Sequence, residues 1–129
     1  ITIATARKKP ADLPTGIQFA ELDITNKAQT LNVVTAAKPD VVIHAAAMTQ
    51  VDQCETEREK CLSANVHGVE NIIQACAQAN AHLVHVSTDF IFDGTYGPLD
   101  ESAIPNPVNY YGESKLAGEK LIQQSKINW

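Results

Sequence analysis

The segment Tyr111-Gly112-Glu113-Ser114-Lys115 carries the residue types and the spacing of a proton-transfer pair. Residues four apart on a helix lie on one face, so the Tyr111 phenol and the Lys115 ammonium would be neighbours. A nearby ammonium favours the phenolate and makes a phenol a usable proton donor near neutral pH. Such a pair suits carbonyl reduction, in which an alkoxide develops as hydride arrives. Because this spacing also arises by chance, the interpretation depends on the elements around it.

Two predicted strands end in residues that suit a binding site. The strand Leu83–Val86 is followed by Ser87 and Thr88, and the strand Val41–Ala45 continues into two more alanines. Ligands of open α/β sheets bind at the carboxyl ends of the strands, where hydroxyls can hydrogen-bond a substrate oxygen. Small side chains there let a flat or phosphate-bearing ligand approach the backbone. The plainer alternatives are a turn or cap role for Thr88 and a tightly packed strand end for the alanines.

The chain alternates short β-branched runs with longer helical segments, which predicts a doubly wound α/β fold with a parallel sheet. The near-continuous apolar run at 41–45 is typical of a strand covered on both faces. The expected strands are 1–5, 17–22, 41–45 and 83–87, and residues 127–129 resemble the start of another. The segment Asp23–Asn26 offers capping side chains for a first helix of about three turns that runs through Ala37. Two further helices are expected from about 57 to 80 and from about 108 to 124.

The composition is that of an ordinary globular domain. The 129 residues are 44% hydrophobic and 19% charged, which suffices for one domain with a core. With 10 Lys and Arg against 15 Asp and Glu, the net charge of -5 argues against a nucleic-acid partner. The longest apolar run is too short to span a membrane, and no secretory signal is visible. A cytoplasmic location is therefore expected.

The cysteines and histidines show no ligand pattern. Cys54, Cys61 and Cys76 form neither a CxxC pair nor a disulfide framework, which predicts reduced, packed thiols. The four histidines are not clustered, so no metal site is expected.

Four ordered motifs resemble those of the extended short-chain dehydrogenase/reductases. They are HAAAMTQVDQCE (His44–Glu55), ANVHG (Ala64–Gly68), STDFIFDG (Ser87–Gly94) and YGESK (Tyr111–Lys115). Within that family the chain is most similar to the dTDP-4-dehydrorhamnose reductase group, over essentially its whole length. The third motif matches the reductase pattern rather than the small-residue run ending in VYG that epimerases and dehydratases usually carry. The resemblance implies a Rossmann fold and an NAD(P)H-dependent reductase of a nucleotide-linked 4-keto sugar.

The resemblance also implies roles for individual residues. Tyr111 would be the general acid, Lys115 would tune it and hydrogen-bond the nicotinamide ribose, and Thr88 would orient the substrate carbonyl. Asn65 is grouped with the cofactor-binding residues, and it would brace the site through its backbone and a water. The other cofactor contacts would be Asp23, Ile24, Ala45, Ala46, Ala47 and Ser87. The other substrate contacts would be Thr49, Val51 and Phe90.

The end of the first strand indicates which nicotinamide cofactor to expect. An acidic residue near this point holds the ribose 2′-hydroxyl of NAD, whereas a basic residue accommodates the 2′-phosphate of NADP. The stretch Thr5-Ala6-Arg7-Lys8-Lys9 contains three cations and no acid. NADP(H) is therefore the expected cofactor, with Arg7 as the main contact and Lys8 as the second, and NAD(H) is the alternative. A solvated basic loop is the plainer interpretation.

The motifs place the chain in the middle of such an enzyme. The glycine-rich turn that cradles the cofactor pyrophosphate would precede Ile1, and the substrate-binding part would follow Trp129. Residues 1–129 are thus expected to be a partial NAD(P)-binding Rossmann domain that lacks the first strand. In the order 3-2-1-4-5-6, that strand lies between the second and the fourth, here 1–5 and 41–45. Both would expose unpaired edges, so the segment alone would not be self-sufficient.

Two other functions remain open from the sequence. A non-catalytic regulatory or binding subunit on the same fold, similar to the regulatory subunit of methionine adenosyltransferase, could retain the tyrosine and the lysine. An epimerase or dehydratase of sugar nucleotides would regenerate its bound cofactor instead of consuming it. The expected partners are a nucleotide-sugar substrate and, in a homodimer, a second copy of the chain. Neither nucleic acid nor a membrane is expected.

Overall fold

The computed structural model describes residues 1–129 as four β-strands and five α-helices. The strands are β1 (Ile3–Ala6), β2 (Gln18–Glu21), β3 (Val41–His44) and β4 (His82–His85). The helices are α1 (Lys27–Ala37), α2 (Val51–Thr56), α3 (Arg58–Leu62), α4 (Gly68–Ala79) and α5 (Tyr110–Gln124). A π-helical turn, Ser63–His67, joins α3 to α4, and a 3-10 turn, Asp89–Ile91, follows β4. The alternation of strands and helices confirms the predicted α/β class.

The strands form two separate parallel pairs. β1 pairs with β2 from Ile3 opposite Gln18 onward, and β3 pairs with β4 so that His44 lies opposite His85. β1 and β3 are not hydrogen-bonded to each other. On β3 the side chain of Ile43 is 70% exposed, which leaves apolar surface uncovered on this strand. Within each pair the carboxyl ends of both strands lie at the same edge.

The main core lies between α4, β4 and α5. Its buried residues are Val69, Ile72, Cys76, Ala81, Leu83 and Ile122. A second, smaller cluster consists of Cys54, Cys61 and Tyr111, with Val51 and Met48 packed against it. All three cysteines are free and buried, and burial raises the pKa of Cys54 to about 12. The prediction of reduced, packed thiols agrees with this arrangement.

The region expected to be one long helix over 57–80 is instead divided. Helical structure already begins at Val51, and Glu57 has a non-helical backbone that separates α2 from α3. The π turn then follows α3. In that turn the Gly68 amide donates to the Ser63 carbonyl, five residues back. The apolar spacing in the sequence fits one continuous helix, but in the structure Leu62 is 37% exposed while Cys61 and Asn65 are buried. Periodicity therefore did not reveal the extra residue that a π turn accommodates.

Asparagine caps define where two helices begin. The Asn26 side chain accepts the Gln29 amide at 3.0 Å, as predicted for the start of α1. The Asn109 side chain accepts the Gly112 amide at 2.8 Å, so α5 begins at Tyr110, close to the predicted start at about 108.

Two further observations concern the chain end and the helices as a whole. Residues 127–129 form no strand, although the Asn128 carbonyl accepts the Leu83 amide at 2.8 Å. None of the helices combines the length and the apolar character that crossing a membrane requires.

Candidate active site

Tyr111 and Lys115 occupy the first turns of α5 and both side chains are buried, at 8% and 4% exposure. Their spacing puts them on one face of the helix, as predicted. The Lys115 ammonium donates to the Val86 carbonyl at 2.7 Å, directly after the end of β4. The helix that carries the tyrosine is thus tied to the carboxyl end of a strand. This edge is where open α/β folds bind their ligands.

The surroundings of the Lys115 ammonium are mostly uncharged. The Nε2 atom of His85 lies 3.4 Å from Nζ, and the ring of His44 packs on His85 with centroids 5.2 Å apart. Burial lowers the pKa of Lys115, and the carboxylate of Glu119 partly opposes that shift. Burial, helped by the nearby ammonium, also lowers the pKa of both imidazoles to about 4. Both histidines are therefore neutral near pH 7.

Glu119 lies one turn beyond Lys115 on α5 and receives a hydrogen bond from the Ser87 hydroxyl. This contact joins α5 to the residue that follows Val86, next to the contact made by the ammonium. Two hydrogen bonds to the same face of α5 therefore hold Val86 and Ser87, the residues that follow β4. The resemblance implies a cofactor contact for Ser87. In the structure its hydroxyl donates to the Glu119 carboxylate.

The buried side chain of Asn65 connects three parts of the site. Its oxygen accepts the Met48 amide at 2.8 Å, and its nitrogen donates to the Met48 carbonyl at 3.0 Å and to the Ser114 hydroxyl at 2.9 Å. The Ser114 hydroxyl in turn donates to the Tyr111 carbonyl at 2.7 Å. These side-chain contacts are additional to the backbone and water contact predicted for Asn65, which stays a prediction.

Close packing of α5 against the π turn depends on glycine. A Cβ atom at Gly118 would lie 2.8 Å from the Asn65 carbonyl oxygen, which is closer than real Cβ atoms approach backbone. A Cβ atom at Gly112 would lie 2.2 Å from the Phe90 carbonyl oxygen. These two positions let the helix approach both the π turn and the 3-10 turn.

The residues expected to contact substrate lie on both sides of Tyr111. The ring of Phe90 meets the Tyr111 ring edge-on with centroids 5.7 Å apart, and Val51 packs against the cluster that contains Tyr111. Thr49 is exposed, one residue before the turn that leads into α2. The Thr88 hydroxyl accepts the Phe90 amide at 3.3 Å, which is the cap role that was the plainer alternative for this residue. Thr88 remains half-buried beside the site.

The residues expected around the adenine end follow β1 and β2. Arg7 and Lys8 come directly after β1 and are exposed. Asp23 follows β2, where hydrogen bonds from Thr25 lower the pKa of its carboxyl and the Arg7 guanidinium adds to that effect. An acid therefore lies within electrostatic reach of Arg7 although none is near it in sequence. The Ile24 carbonyl accepts a hydrogen bond from the side-chain amide of Asn71 at 2.8 Å, which fixes this turn to α4.

The alanines after β3 leave their loop without bulky side chains. Ala45 and Ala46 are exposed and Ala47 is half-buried, just before the Met48 backbone that Asn65 holds. No three His, Cys, Asp or Glu side chains converge as a potential metal site.

The sequence interpretation missed several residues of this site, namely His44, His85, Ser114 and Glu119. The two histidines are far apart in sequence, and their pairing follows from the parallel register that sets the last residues of β3 and β4 side by side. Glu119 did have a local signal, because it lies four residues after Lys115 on the same helix face.

Comparison with known proteins identifies the family. The model of the RmlD substrate binding domain matches residues 2–129. The chain belongs to this family. It is 44% identical over 107 residues to a dTDP-4-dehydrorhamnose reductase from Aggregatibacter actinomycetemcomitans, covering 82% of this chain and 36% of that protein. It is 37% identical over 108 residues to methionine adenosyltransferase 2 subunit beta from Xenopus laevis, covering 84% of this chain and 32% of that protein.

Solved structures confirm the Rossmann-like fold. A dTDP-4-dehydrorhamnose reductase from Bacillus anthracis in complex with NADP superposes with a TM-score of 0.80 at 37% identity, covering 87% of this chain and 42% of that one. The Bordetella bronchiseptica enzyme WbmG, in complex with NAD and UDP, has a TM-score of 0.83 at 21% identity, which supports the fold alone. The chain thus spans about a third of the curated relatives and under half of these structures.

The buried imidazoles predict a defined pH dependence of stability. An unfolded histidine binds a proton below about pH 6.5, whereas folded His44 does so only near pH 4. The free energy of unfolding should therefore decrease as the pH falls from 6.5 to 4, and it should decrease less steeply in His44→Leu. Urea denaturation of the complete protein at several pH values measures both slopes. The exposed His82→Gln variant should match the unmodified protein, and equal slopes for His44→Leu would contradict the prediction.

Proposed function

We propose that the protein is an NAD(P)H-dependent reductase of a nucleotide-linked 4-keto sugar. The observation that carries this proposal is the buried Tyr111–Lys115 pair on α5, tied by the lysine to the carboxyl end of β4. The similarity to dTDP-4-dehydrorhamnose reductases supports it independently of the geometry. The keto group would be reduced beside Tyr111, and the nucleotide would distinguish the substrate from a free sugar.

The residues at the strand ends fit a nicotinamide cofactor. The Lys115 ammonium has three N–H donors and two protein acceptors within 3.4 Å, so a ribose hydroxyl can take a remaining donor. Ala45 and Ala46 would line the cofactor because they present no atoms beyond Cβ at the end of β3. Asp23 and Ile24 would contact the adenine end. When bound, the cofactor supplies hydride for the reduction.

The protein residues handle the proton. Tyr111 donates its phenolic proton to the carbonyl oxygen of the substrate as negative charge develops there. The Lys115 ammonium stabilises the phenolate that remains. Thr88 orients the carbonyl through its hydroxyl, and Phe90, Val51 and Thr49 contact the substrate around it. The Ser87 hydroxyl, bonded to Glu119, keeps the strand end in place against α5.

The first prediction from this mechanism concerns the phenol. In the complete protein, Tyr111→Phe should lower kcat by two or more powers of ten, because the general acid is lost. Cofactor affinity should stay nearly unchanged, since the ring and its packing on Phe90 remain. Steady-state consumption of NADPH with a dTDP-4-keto sugar measures kcat, and cofactor fluorescence measures affinity.

A matched control is available at the preceding residue. The Tyr110 ring lies under the Arg58 guanidinium at 4.7 Å, away from the Lys115 contacts, so Tyr110→Phe should retain turnover. Lys115→Met should impair both kcat and cofactor binding, because the same ammonium serves the phenol and the ribose. Normal turnover by Tyr111→Phe would refute the assignment.

A second candidate function is a non-catalytic subunit on the same fold. The observation that favours it is the 37% identity to methionine adenosyltransferase 2 subunit beta, over nearly the same share of the chain. Such a subunit would bind its ligand without net consumption of NADPH. The absence of turnover by the unmodified complete protein, with retained cofactor binding, would support this alternative over the reductase.

We further propose that the cofactor is preferentially NADPH and that Arg7 is the main contact with its 2′-phosphate. Arg7 and Lys8 are exposed directly after β1, where the adenine ribose of a Rossmann domain is held. The nearby Asp23 already accepts two hydrogen bonds from Thr25, which weakens its competition for a ribose hydroxyl. NADH would remain a poorer alternative donor.

This preference can be tested by removing the guanidinium. Arg7→Ala should reduce the NADPH/NADH ratio of kcat/KM about tenfold, because a phosphate contact from arginine is charge-assisted and bidentate. Lys8→Ala should have a smaller effect in the same direction. Lys9→Ala, an exposed cation one residue further on, serves as the control and should leave the ratio unchanged. An unaltered ratio in Arg7→Ala would exclude Arg7 as the discriminating residue.

We also propose that residues 1–129 are part of a larger NAD(P)-binding Rossmann domain in which another parallel strand lies between β1 and β3. The two pairs are separate, and Val41 and Ile43 of β3 are 50% and 70% exposed. In the doubly wound order, these are the two strands that flank the first one. Such a strand would pair the free backbone groups of both.

Residues 1–129 expressed alone should therefore aggregate or unfold without cooperativity and should not bind NADPH. The reason is the unpaired, apolar strand edge that remains in solution. Light scattering, thermal denaturation and fluorescence titration with NADPH measure the three properties, with the complete protein as reference. A soluble monomer that melts cooperatively and binds NADPH at micromolar concentration would overturn the proposal.

A further inference from the structure

We propose that His85 is a positioning residue for Lys115, holding the ammonium toward the site through a hydrogen bond to its unprotonated Nε2 atom. Nζ lies 3.4 Å from that nitrogen and 2.7 Å from the Val86 carbonyl, so two consecutive residues at the end of β4 supply acceptors. An ammonium donates and never accepts. The imidazole must therefore carry its proton on Nδ1.

The histidine pair behaves as a functional group rather than as core packing. The Nδ1 atom of His85 and the Nε2 atom of His44 are buried and have no hydrogen-bond partner in the protein. Leaving such atoms unpaired costs free energy that two apolar side chains at these positions would not incur. The contact between His85 and Lys115 gives a physical reason for this cost.

The charges around Nζ explain why the Nε2 acceptor of His85 matters for holding the ammonium. The ionisable groups that interact electrostatically with the ammonium are His85 from β4, His44 from β3 and Glu119 from α5. Glu119 is the acidic member, and its carboxylate already receives the Ser87 hydroxyl. Because burial opposes the charged form of Lys115, each neutral acceptor helps to keep the ammonium protonated and in place.

The tautomer of His85 can be measured without any turnover. Long-range 1H–15N spectra of the complete protein with 15N-labelled histidine should show His85 neutral, with its proton on Nδ1, between pH 6 and 8. The His85→Gln spectrum assigns the signal by its disappearance. In Lys115→Met, the freed Nε2 atom should acquire a substantial share of the proton. A proton on Nε2 in the unmodified protein would refute the proposal.

The kinetic test rests on the proposed reductase function and uses a rescue. In His85→Leu the ammonium loses an acceptor, so kcat should fall about tenfold and the pH above which kcat declines should move down by about one unit. In His85→Gln, whose side-chain oxygen can accept near the Nε2 position, kcat and the pH profile should stay close to those of the unmodified protein. The KM for the keto sugar should change little in either variant. His82→Gln, exposed on the same strand, is the control.

The outcomes separate the two proposals. An unshifted profile in His85→Leu, or an equal shift in His85→Gln, would overturn the positioning role while the reductase function stands. Absence of turnover in the unmodified protein would refute the reductase, and the tautomer measurement would still decide the role of His85. Thermal denaturation of both variants identifies a loss of activity that comes from unfolding, because a merely structural role would lower stability without moving the pH profile.

Discussion

The carboxamide of Asn65 is the group on which the geometry of the site depends. It joins the loop after β3, the π turn and the beginning of α5 through contacts with the Met48 backbone and the Ser114 hydroxyl. Ser114 is buried and Met48 is half-buried, so losing the amide would leave polar groups unpaired at about 1–3 kcal/mol for each buried group. Because Ser114 lies in the turn between Tyr111 and Lys115, the position of both side chains depends on this network. The π turn places Asn65 to make these contacts, and Gly118 lets α5 approach its carbonyl.

Local physics explains which parts of the fold the sequence could predict. The α/β class, the four strands and the asparagine cap of α1 all follow from signals within a few residues: apolar runs, β-branching and a capping side chain. The family assignment rested on ordered motifs and agrees with the family model over nearly the whole chain. The helical spacing of Tyr111 and Lys115 likewise needs only one helix. Their chemical roles remain predictions, because spacing does not determine what binds beside them.

Other features depend on contacts between distant segments and therefore left no local signal. The pairing of His44 with His85 depends on the register of β3 against β4, and the proximity of Asp23 to Arg7 depends on that of β1 and β2. The π turn lies in a stretch whose apolar spacing fits one continuous helix, so periodicity predicted a single helix there. The side-chain contact of Asn65 with the Met48 backbone likewise joins residues that are 17 positions apart in sequence.

The burial of Lys115 connects this fold to the proposed function. An ammonium ion transferred into a mostly uncharged environment costs several kcal/mol unless hydrogen bonds compensate, and an apolar side chain at the same position would avoid that cost. The protein provides the Val86 carbonyl and the His85 ring, which serve two of the three N–H donors. A lysine that only stabilised α5 would gain from a complete set of acceptors or from a directly paired carboxylate. The Val86 carbonyl and the His85 ring leave one N–H donor for a ligand hydroxyl, which is the ribose contact proposed for Lys115.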